Sequence, residues 1–159
     1  MTNTPNRNPA KLREILAWAF YDFANSGYTT VVLTTIYSAY FVGIVAADLD
    51  AADPGSATLI WTLAIGVANL IVLVSGPIIG AIADFRGSKK YFLLLSSIVC
   101  VGSTALLAGA EPGQVALAVL LLTISAVAFA SGENLIAAFL PEIASTENMG
   151  RISGYGWSL

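Results

Sequence analysis

Four long apolar stretches constrain this chain more than any other feature. They cover residues 15–47, 58–83, 91–109 and 115–140. A helix crosses the roughly 30 Å of bilayer hydrocarbon with about 20 apolar residues, so each stretch is long enough to span. Charged residues make up only 11% of the chain, against about 25% in a soluble domain. The sequence therefore predicts an all-α membrane protein with four transmembrane helices, the first of which is long enough to tilt or bend.

The segments that flank these stretches set the organisation of the chain. Residues 1–14 are polar and are predicted to form a cytosolic tail. A cleaved signal peptide is the rival interpretation, but Asp22 and Asn25 interrupt the apolar run that such a peptide requires. The acidic segment 48–56 is predicted to be a loop. Residues 151–159 resemble the start of a fifth helix that stops too early to span, so the chain is expected to be a fragment.

The distribution of charge predicts the orientation in the membrane. With four spans, the lysines and arginines all fall on one side: Arg7, Lys11, Arg13, Arg86, Lys89, Lys90 and Arg151. The two loops on the other side carry only acidic charges: Asp48, Asp50, Asp53 and Glu111. The positive-inside rule then predicts a multi-pass plasma (inner) membrane protein with a cytosolic N-terminus.

The first apolar stretch carries a polar face. Spacings of three and four residues place Asp22, Asn25, Ser26 and Thr29 on one side of the helix. A carboxylate at the centre of a membrane helix costs at least about 2.5 kcal/mol, so this face is expected to turn toward protein or water. The alternative is that Asp22 lies near the interface and pairs with basic residues of the tail.

The fourth stretch carries Glu133 and Asn134 near its cytosolic end. Glu133 and Asp22 each lie seven residues from the predicted cytosolic end of their helix, which is roughly 10 Å by helical rise. Two acids at matching depth in a dry cavity are candidates for carrying protons. The alternative is that each acid only hydrogen-bonds a neighbouring helix.

The glycine-rich segment 76–90 joins the second and third helices. Gly76 and Gly80 have the spacing that lets another helix approach closely. Gly87 suits a tight turn with a positive φ. Asp84 lies at the end of the second helix, where the helix dipole disfavours an acid, so it is predicted to need a partner on another element. The alternative is an ordinary charged turn between two membrane helices.

This loop resembles the signature loop of the major facilitator superfamily. The matching positions are Gly80, Asp84, Gly87, Lys89 and Lys90. The position after the acid is usually basic in that pattern. Here it is Phe85, with Arg86 one place later.

A more specific resemblance covers most of the chain. Residues 18–28, 139–143 and 150–157 resemble the vacuole-effluxer-like branch of this superfamily, which is related to the autophagy-linked amino-acid effluxer of fungi. The resemblance implies a twelve-helix transporter that works by alternating access, of which this chain holds helices 1–4 and the first residues of helix 5. It also implies that helices 1 and 4 line the central cavity.

The resemblance further implies a gate in the signature loop. Its acid, Asp84, would stabilise the outward-facing state through the other half of the transporter and would be unpaired within this chain. Arg86 or Lys90 would meet Glu142 at the end of the fourth helix.

These observations favour a secondary transporter of a small polar solute, with an amino acid and protons as candidate cargo. Its partners would be the lipid bilayer and the C-terminal half of the protein. A non-transporting accessory or scaffold module built on small-residue packing is the rival hypothesis. The chain has no histidine and no nucleophile motif, so an enzyme, a metal site or a cofactor is not expected. It also lacks the basic stripe that nucleic-acid binding requires.

Overall fold

The structure, a computed structural model, describes residues 12–139 and Gly154. Four helices are long and apolar enough to cross a membrane, and they cover Ile15–Val45, Ser56–Phe85, Lys89–Leu107 and Val115–Ala137. The described residues contain no strand. The predicted all-α fold with four membrane-length helices is therefore confirmed. Most of the predicted tail, the predicted start of a fifth helix (Gly154 apart) and Glu142 lie outside the described residues.

The first span is one continuous helix that contains two π-helical segments. Helix α1, Leu12–Tyr28, is followed by a π-helical segment, Thr29–Thr35. Helix α2, Ile36–Tyr40, is then followed by a second π-helical segment, Phe41–Val45. The sequence predicted one long helix here that would tilt or bend, but it did not predict π-helical turns, which are rare in proteins.

Threonine side chains account for the first π-helical segment. The Thr34 hydroxyl donates to the carbonyl of Thr30 at 3.1 Å and to that of Thr29 at 3.0 Å. The Thr35 hydroxyl also donates to the Thr30 carbonyl. These bonds reach back four and five residues and compete with the backbone ladder. The apolar pattern of the sequence does not show this competition, so it predicts a helix but not its π-helical turns.

The prediction of a loop over residues 48–56 is wrong for its first half. Helix α3, Ala47–Ala52, begins directly after the first span. Asp48 and Asp50 occupy its first turn, where acidic side chains interact favourably with the helix dipole. The turn itself comes at Gly55, which has a φ of 93° and donates its N–H to the Asp50 carboxylate at 2.9 Å.

The last of the four spans is the central helix, and the other three pack against it. Helices α4, Ser56–Phe85, and α5, Lys89–Leu107, both pack on α6, Val115–Ala137, and α1 packs on α6 as well. Their ends lie within three residues of the predicted ones. The buried residues of α6 are mostly small or flat: Ala118, Leu122, Ser125, Ala126, Ala128, Phe129, Gly132, Leu135 and Ile136. Small residues let the backbones of membrane helices approach closely, which explains why α6 holds the centre.

Candidate functional site

Acidic and amide side chains from two helices meet near one end of the bundle. Asp22 and Asn25 are half-buried on α1, and Glu133 lies near the C-terminal end of α6. The Glu133 carboxylate is within interaction range of both the Asn25 amide and the Asp22 carboxylate. The structure thus brings together Asp22 and Glu133, which the sequence placed on separate helices at matching depth, and adds Asn25 from the helix of Asp22.

An antiparallel seam between α1 and α6 produces this meeting. The Trp18 indole N–H donates to the Ile136 carbonyl at 3.0 Å, and this contact is buried. Ten residues later, the Tyr28 hydroxyl lies 2.7 Å from the Ser125 hydroxyl. The Tyr28 ring also stacks on Phe129 with 4.6 Å between the ring centroids. These contacts, with Tyr21 against Gly132 between them, define the α1–α6 seam, which fixes the register of the two helices.

The seam follows a heptad-like spacing along α1. Trp18, Tyr21, Asn25 and Tyr28 are separated by three, four and three residues, the pattern of the contact positions in a coiled coil. Asn25 is thus an amide in an otherwise aromatic seam. A single polar residue at such a position specifies the register of two helices at a cost in stability.

The Asn25 amide nitrogen is a buried hydrogen-bond donor. It is buried, and no hydrogen bond of normal geometry reaches it from the residues described. A buried donor left without an acceptor costs about 1–3 kcal/mol, which favours an acceptor close to this amide. The Glu133 carboxylate stands beside this amide. Together the two carboxylates and the amide can hold a proton or a cationic group between α1 and α6.

Asn134, the other residue predicted on α6, faces a different helix. It lines a cavity of about 500 Å³ between α4 and α6. Polar residues of α4, of α6 and of the first turn of α5 line this cavity: Asn69, Asp84, Lys89, Ser131 and Asn134. Gly76 forms part of its wall, and a Cβ there would be 3.8 Å from the Asn134 amide nitrogen. Glu133 and Asn134, which are neighbours in the chain and point about 100° apart on a helix, therefore belong to two separate polar regions beside α6.

The remaining predicted residues stay apart from the acidic pair. Thr29 is exposed at the start of the π-helical segment, and its carbonyl accepts the Thr34 hydroxyl. Gly80 lines the cavity between α4 and α6, but a Cβ there would meet no described atom within 4 Å. The close helix approach predicted for Gly76 and Gly80 is therefore absent from the described part of the chain, where contact is ordinary at Gly76 and lacking at Gly80.

The signature loop is closed by an internal ion pair. The Lys89 ammonium lies 2.7 Å from the Asp84 carboxylate. Gly87 has a φ of 60°, so the predicted tight turn with a positive φ is confirmed. The expectation that Asp84 is unpaired within this chain is wrong, because the turn at Gly87 brings the first residue of α5 back to the last turn of α4. The predicted need for a partner on another element is met by Lys89.

The two ends of this ion pair have different surroundings. Asp84 is 63% exposed, whereas Lys89 is only 18% exposed. The Lys89 ammonium also lies 5.9 Å from the centroid of the Phe139 ring, which follows α6. Lys89 thus connects the loop to α6. Arg86 and Lys90 are exposed, and their predicted contact with Glu142 falls outside the described residues.

Sequence reasoning missed the residues that hold the seam. Tyr21, Ser97 and Gly132 meet between α1, α5 and α6, with 3.1 Å between the Tyr21 and Ser97 hydroxyls. The alternating spacing of three and four from Trp18 to Tyr28 was the signal that could have identified Tyr21. In the described part of the chain, no three acidic, cysteine or histidine side chains are grouped so that they could hold a metal ion.

Comparison with known proteins decides the family. The family model described as "Vacuole effluxer Atg22 like" matches residues 55–152, more than half of the chain. The chain belongs to the Atg22-like family. This confirms the resemblance seen in the sequence. The matched part of this Atg22-like chain includes the signature loop and Glu133, whereas Asp22 precedes it.

A bacterial relative matches a larger share of the chain than the family model does. The Atg22-like chain is 34% identical over 143 residues to a protein of Bacillus subtilis (strain 168) named "Uncharacterized MFS-type transporter YxiO". The match covers 90% of this chain but only 33% of that relative. The chain thus spans about a third of the length of the curated relative it matches. No solved structure matches it significantly.

Proposed function

We propose that this Atg22-like chain forms part of a secondary active transporter that moves a small polar solute by alternating access. The observation that carries the proposal is the group of Asp22, Asn25 and Glu133, held together between two membrane helices. Ionisable residues inside membrane spans are rare and belong to ion or substrate pathways. The name of the bacterial relative supports the same reading. A transporter function also agrees with the sequence argument against an enzyme.

We propose an amino acid as the solute and protons as the coupling ion. A zwitterion presents an ammonium group that suits two carboxylates and a carboxylate that suits an amide donor. The groups that face Glu133 are Asp22 and Tyr21 from α1, and Cys100 of α5 lies next to Tyr21. Asp84 of α4 and Lys89 of α5 line the separate cavity that Asn134 also lines.

The transport proposal is tested in proteoliposomes that contain the full-length protein carrying this chain. A panel of amino acids is supplied with and without a pH gradient. At least one of them is expected to accumulate only when the gradient is present. Movement of none of the panel under either condition would contradict amino-acid transport and favour the scaffold hypothesis. Accumulation that ignores the gradient would leave transport standing and contradict proton coupling.

We further propose that the signature loop is a gate element. Asp84→Asn removes the charge that pairs with Lys89 and is expected to shift the balance between inward-facing and outward-facing states. Because Asp84 is largely exposed, the pair contributes at most about 1 kcal/mol, which is a shift of up to about fivefold. The measurement is the labelling rate of a single cysteine in the cavity, once from each side of the membrane. Asp53→Asn, an exposed acid of another loop, is the matched control, and equal labelling in both variants would contradict the gate.

A further inference from the structure

Gly132 is the tightest glycine position in the described part of the chain. A Cβ added there would come within 2.8 Å of the Tyr21 hydroxyl oxygen and 3.3 Å of the Ser96 hydroxyl oxygen. Real Cβ atoms do not approach other heavy atoms to 2.8 Å, so a methyl group would force Tyr21 to move. The glycines at the other described positions have no such neighbour closer than 3.5 Å. The contact between Tyr21 and Gly132 is therefore a specific fit between α1 and α6.

The Tyr21 hydroxyl is held from a second side by α5. Its oxygen lies 3.1 Å from the Ser97 hydroxyl oxygen, and Ser97 donates its own proton to the Leu93 carbonyl at 2.8 Å. Because Ser97 has only one proton, Tyr21 is the donor in the bond between the two hydroxyls. The Tyr21 proton is thus committed to Ser97. Tyr21 has none left to give to Glu133, so any influence on Glu133 comes from position.

The seam leaves Tyr21 little freedom to adjust. Trp18 is bonded to α6 one turn before it, and Tyr28 is bonded to and stacked on α6 two turns after it. A closely packed interface does not deform freely, so a displacement at one contact is passed to its neighbours. Glu133 follows Gly132 directly in the chain and interacts electrostatically with Tyr21.

We propose that Tyr21 is a positioning residue: its hydroxyl, pressed against Gly132 and bonded to Ser97, fixes where Glu133 stands relative to Asp22 and Asn25. The contact between Tyr21 and Gly132 sets the position of Glu133 whether or not the site carries protons. Its effect on transport, however, rests on the function proposed above.

The geometric test uses cysteines at the two acidic positions. Asp22→Cys and Glu133→Cys are combined with Cys100→Ser in the full-length protein, and disulfide formation is timed after addition of an oxidant. Adding Gly132→Ala is expected to slow cross-linking several-fold, because the methyl group pushes Tyr21 away. Adding Tyr21→Phe to Gly132→Ala is expected to restore most of the rate, because the clashing oxygen is removed.

The functional test keeps both acids in place. In proteoliposomes, Gly132→Ala is expected to shift the pH profile of transport, and the double variant with Tyr21→Phe is expected to bring it back. Gly66→Ala is the matched control, since a Cβ at Gly66 meets nothing within 4 Å among the described atoms. It should change neither the cross-linking rate nor the pH profile.

The outcomes separate this inference from the proposed function. An unchanged cross-linking rate in Gly132→Ala, or a failure of Tyr21→Phe to restore it, overturns the positioning role. A wild-type protein whose transport ignores pH, but whose cross-linking follows Gly132 and Tyr21, contradicts proton coupling and supports the positioning role. If Gly132→Ala does not fold, Ser97→Ala decides, because it releases the Tyr21 hydroxyl without adding an atom. A cross-linking rate equal to that of the parent protein would then overturn the proposal.

Discussion

Glu133→Gln is expected to abolish pH-driven accumulation of the solute while leaving exchange of solute across the membrane intact. Glutamine has the shape of a protonated glutamate but cannot release a proton. A transporter that binds a proton at Glu133 would then remain in the loaded form and could shuttle solute only down its gradient. The measurement compares concentrative uptake under a pH gradient with solute counterflow without one, both in proteoliposomes of the full-length protein.

Asp22→Asn and Glu111→Gln serve as companion variants. Asp22 faces Glu133 across the α1–α6 seam, so its neutralisation is expected to impair the same pH-driven step. Glu111 is an exposed acid in the loop between α5 and α6, and its neutralisation should leave accumulation at the wild-type level. Retention of the wild-type pH dependence by both Asp22→Asn and Glu133→Gln would refute proton coupling through this pair.

Sequence patterns predicted the helices well because the bilayer imposes a simple rule. A backbone in hydrocarbon must satisfy its own hydrogen bonds, so a long apolar stretch has hardly any alternative to a helix. The rule says nothing of how the helix winds, which depends on side chains that compete for backbone carbonyls. The π-helical turn at Thr29–Thr35 therefore could not be read from apolar length. The same limit applies to α3, where acidic residues that resemble a loop begin a helix.

The sequence predicted the depth of the acidic site in the membrane and some of the residues that form it. Helical rise alone placed Asp22 and Glu133 at one level, and the spacing of three residues placed Asn25 on the face of Asp22. The contact between helices was not predictable in the same way. Gly132 matters because of what a Cβ would strike on α1, and this depends on the register of two helices more than 100 positions apart in the chain.

The pairing of Asp84 shows a second limit of sequence reasoning. The helix dipole argument predicted a partner for Asp84 on another element, and Lys89 of α5 is that partner. The superfamily pattern placed this partner in the other half of a transporter, whereas the structure places it five residues away, at Lys89. A positive φ at Gly87 reverses the chain tightly enough for Lys89 to reach Asp84. The partner of Asp84 is therefore provided by the local turn and not by a distant element of the chain.

The orientation of the chain is expected to give an all-or-none result in a labelling experiment. Phe85→Cys and Glu111→Cys are each introduced into a Cys100→Ser background and treated with a membrane-impermeant maleimide in intact cells. Phe85 is 93% exposed and lies beside the basic turn of the signature loop. We expect label at position 111 in intact cells, and label at position 85 only after the membrane is permeabilised.

The physical reason is the segregation of charge. Arg86 lies in one connection, and Lys89 and Lys90 begin the helix that follows it. The connections on the other side carry acids but no lysine or arginine. Positive charges near the ends of spans are retained on the cytosolic side. The reverse labelling pattern would invert the orientation, and label at both positions in intact cells would contradict an odd number of crossings between them. With the expected pattern, Glu133 lies nearer the cytosol than the outer surface.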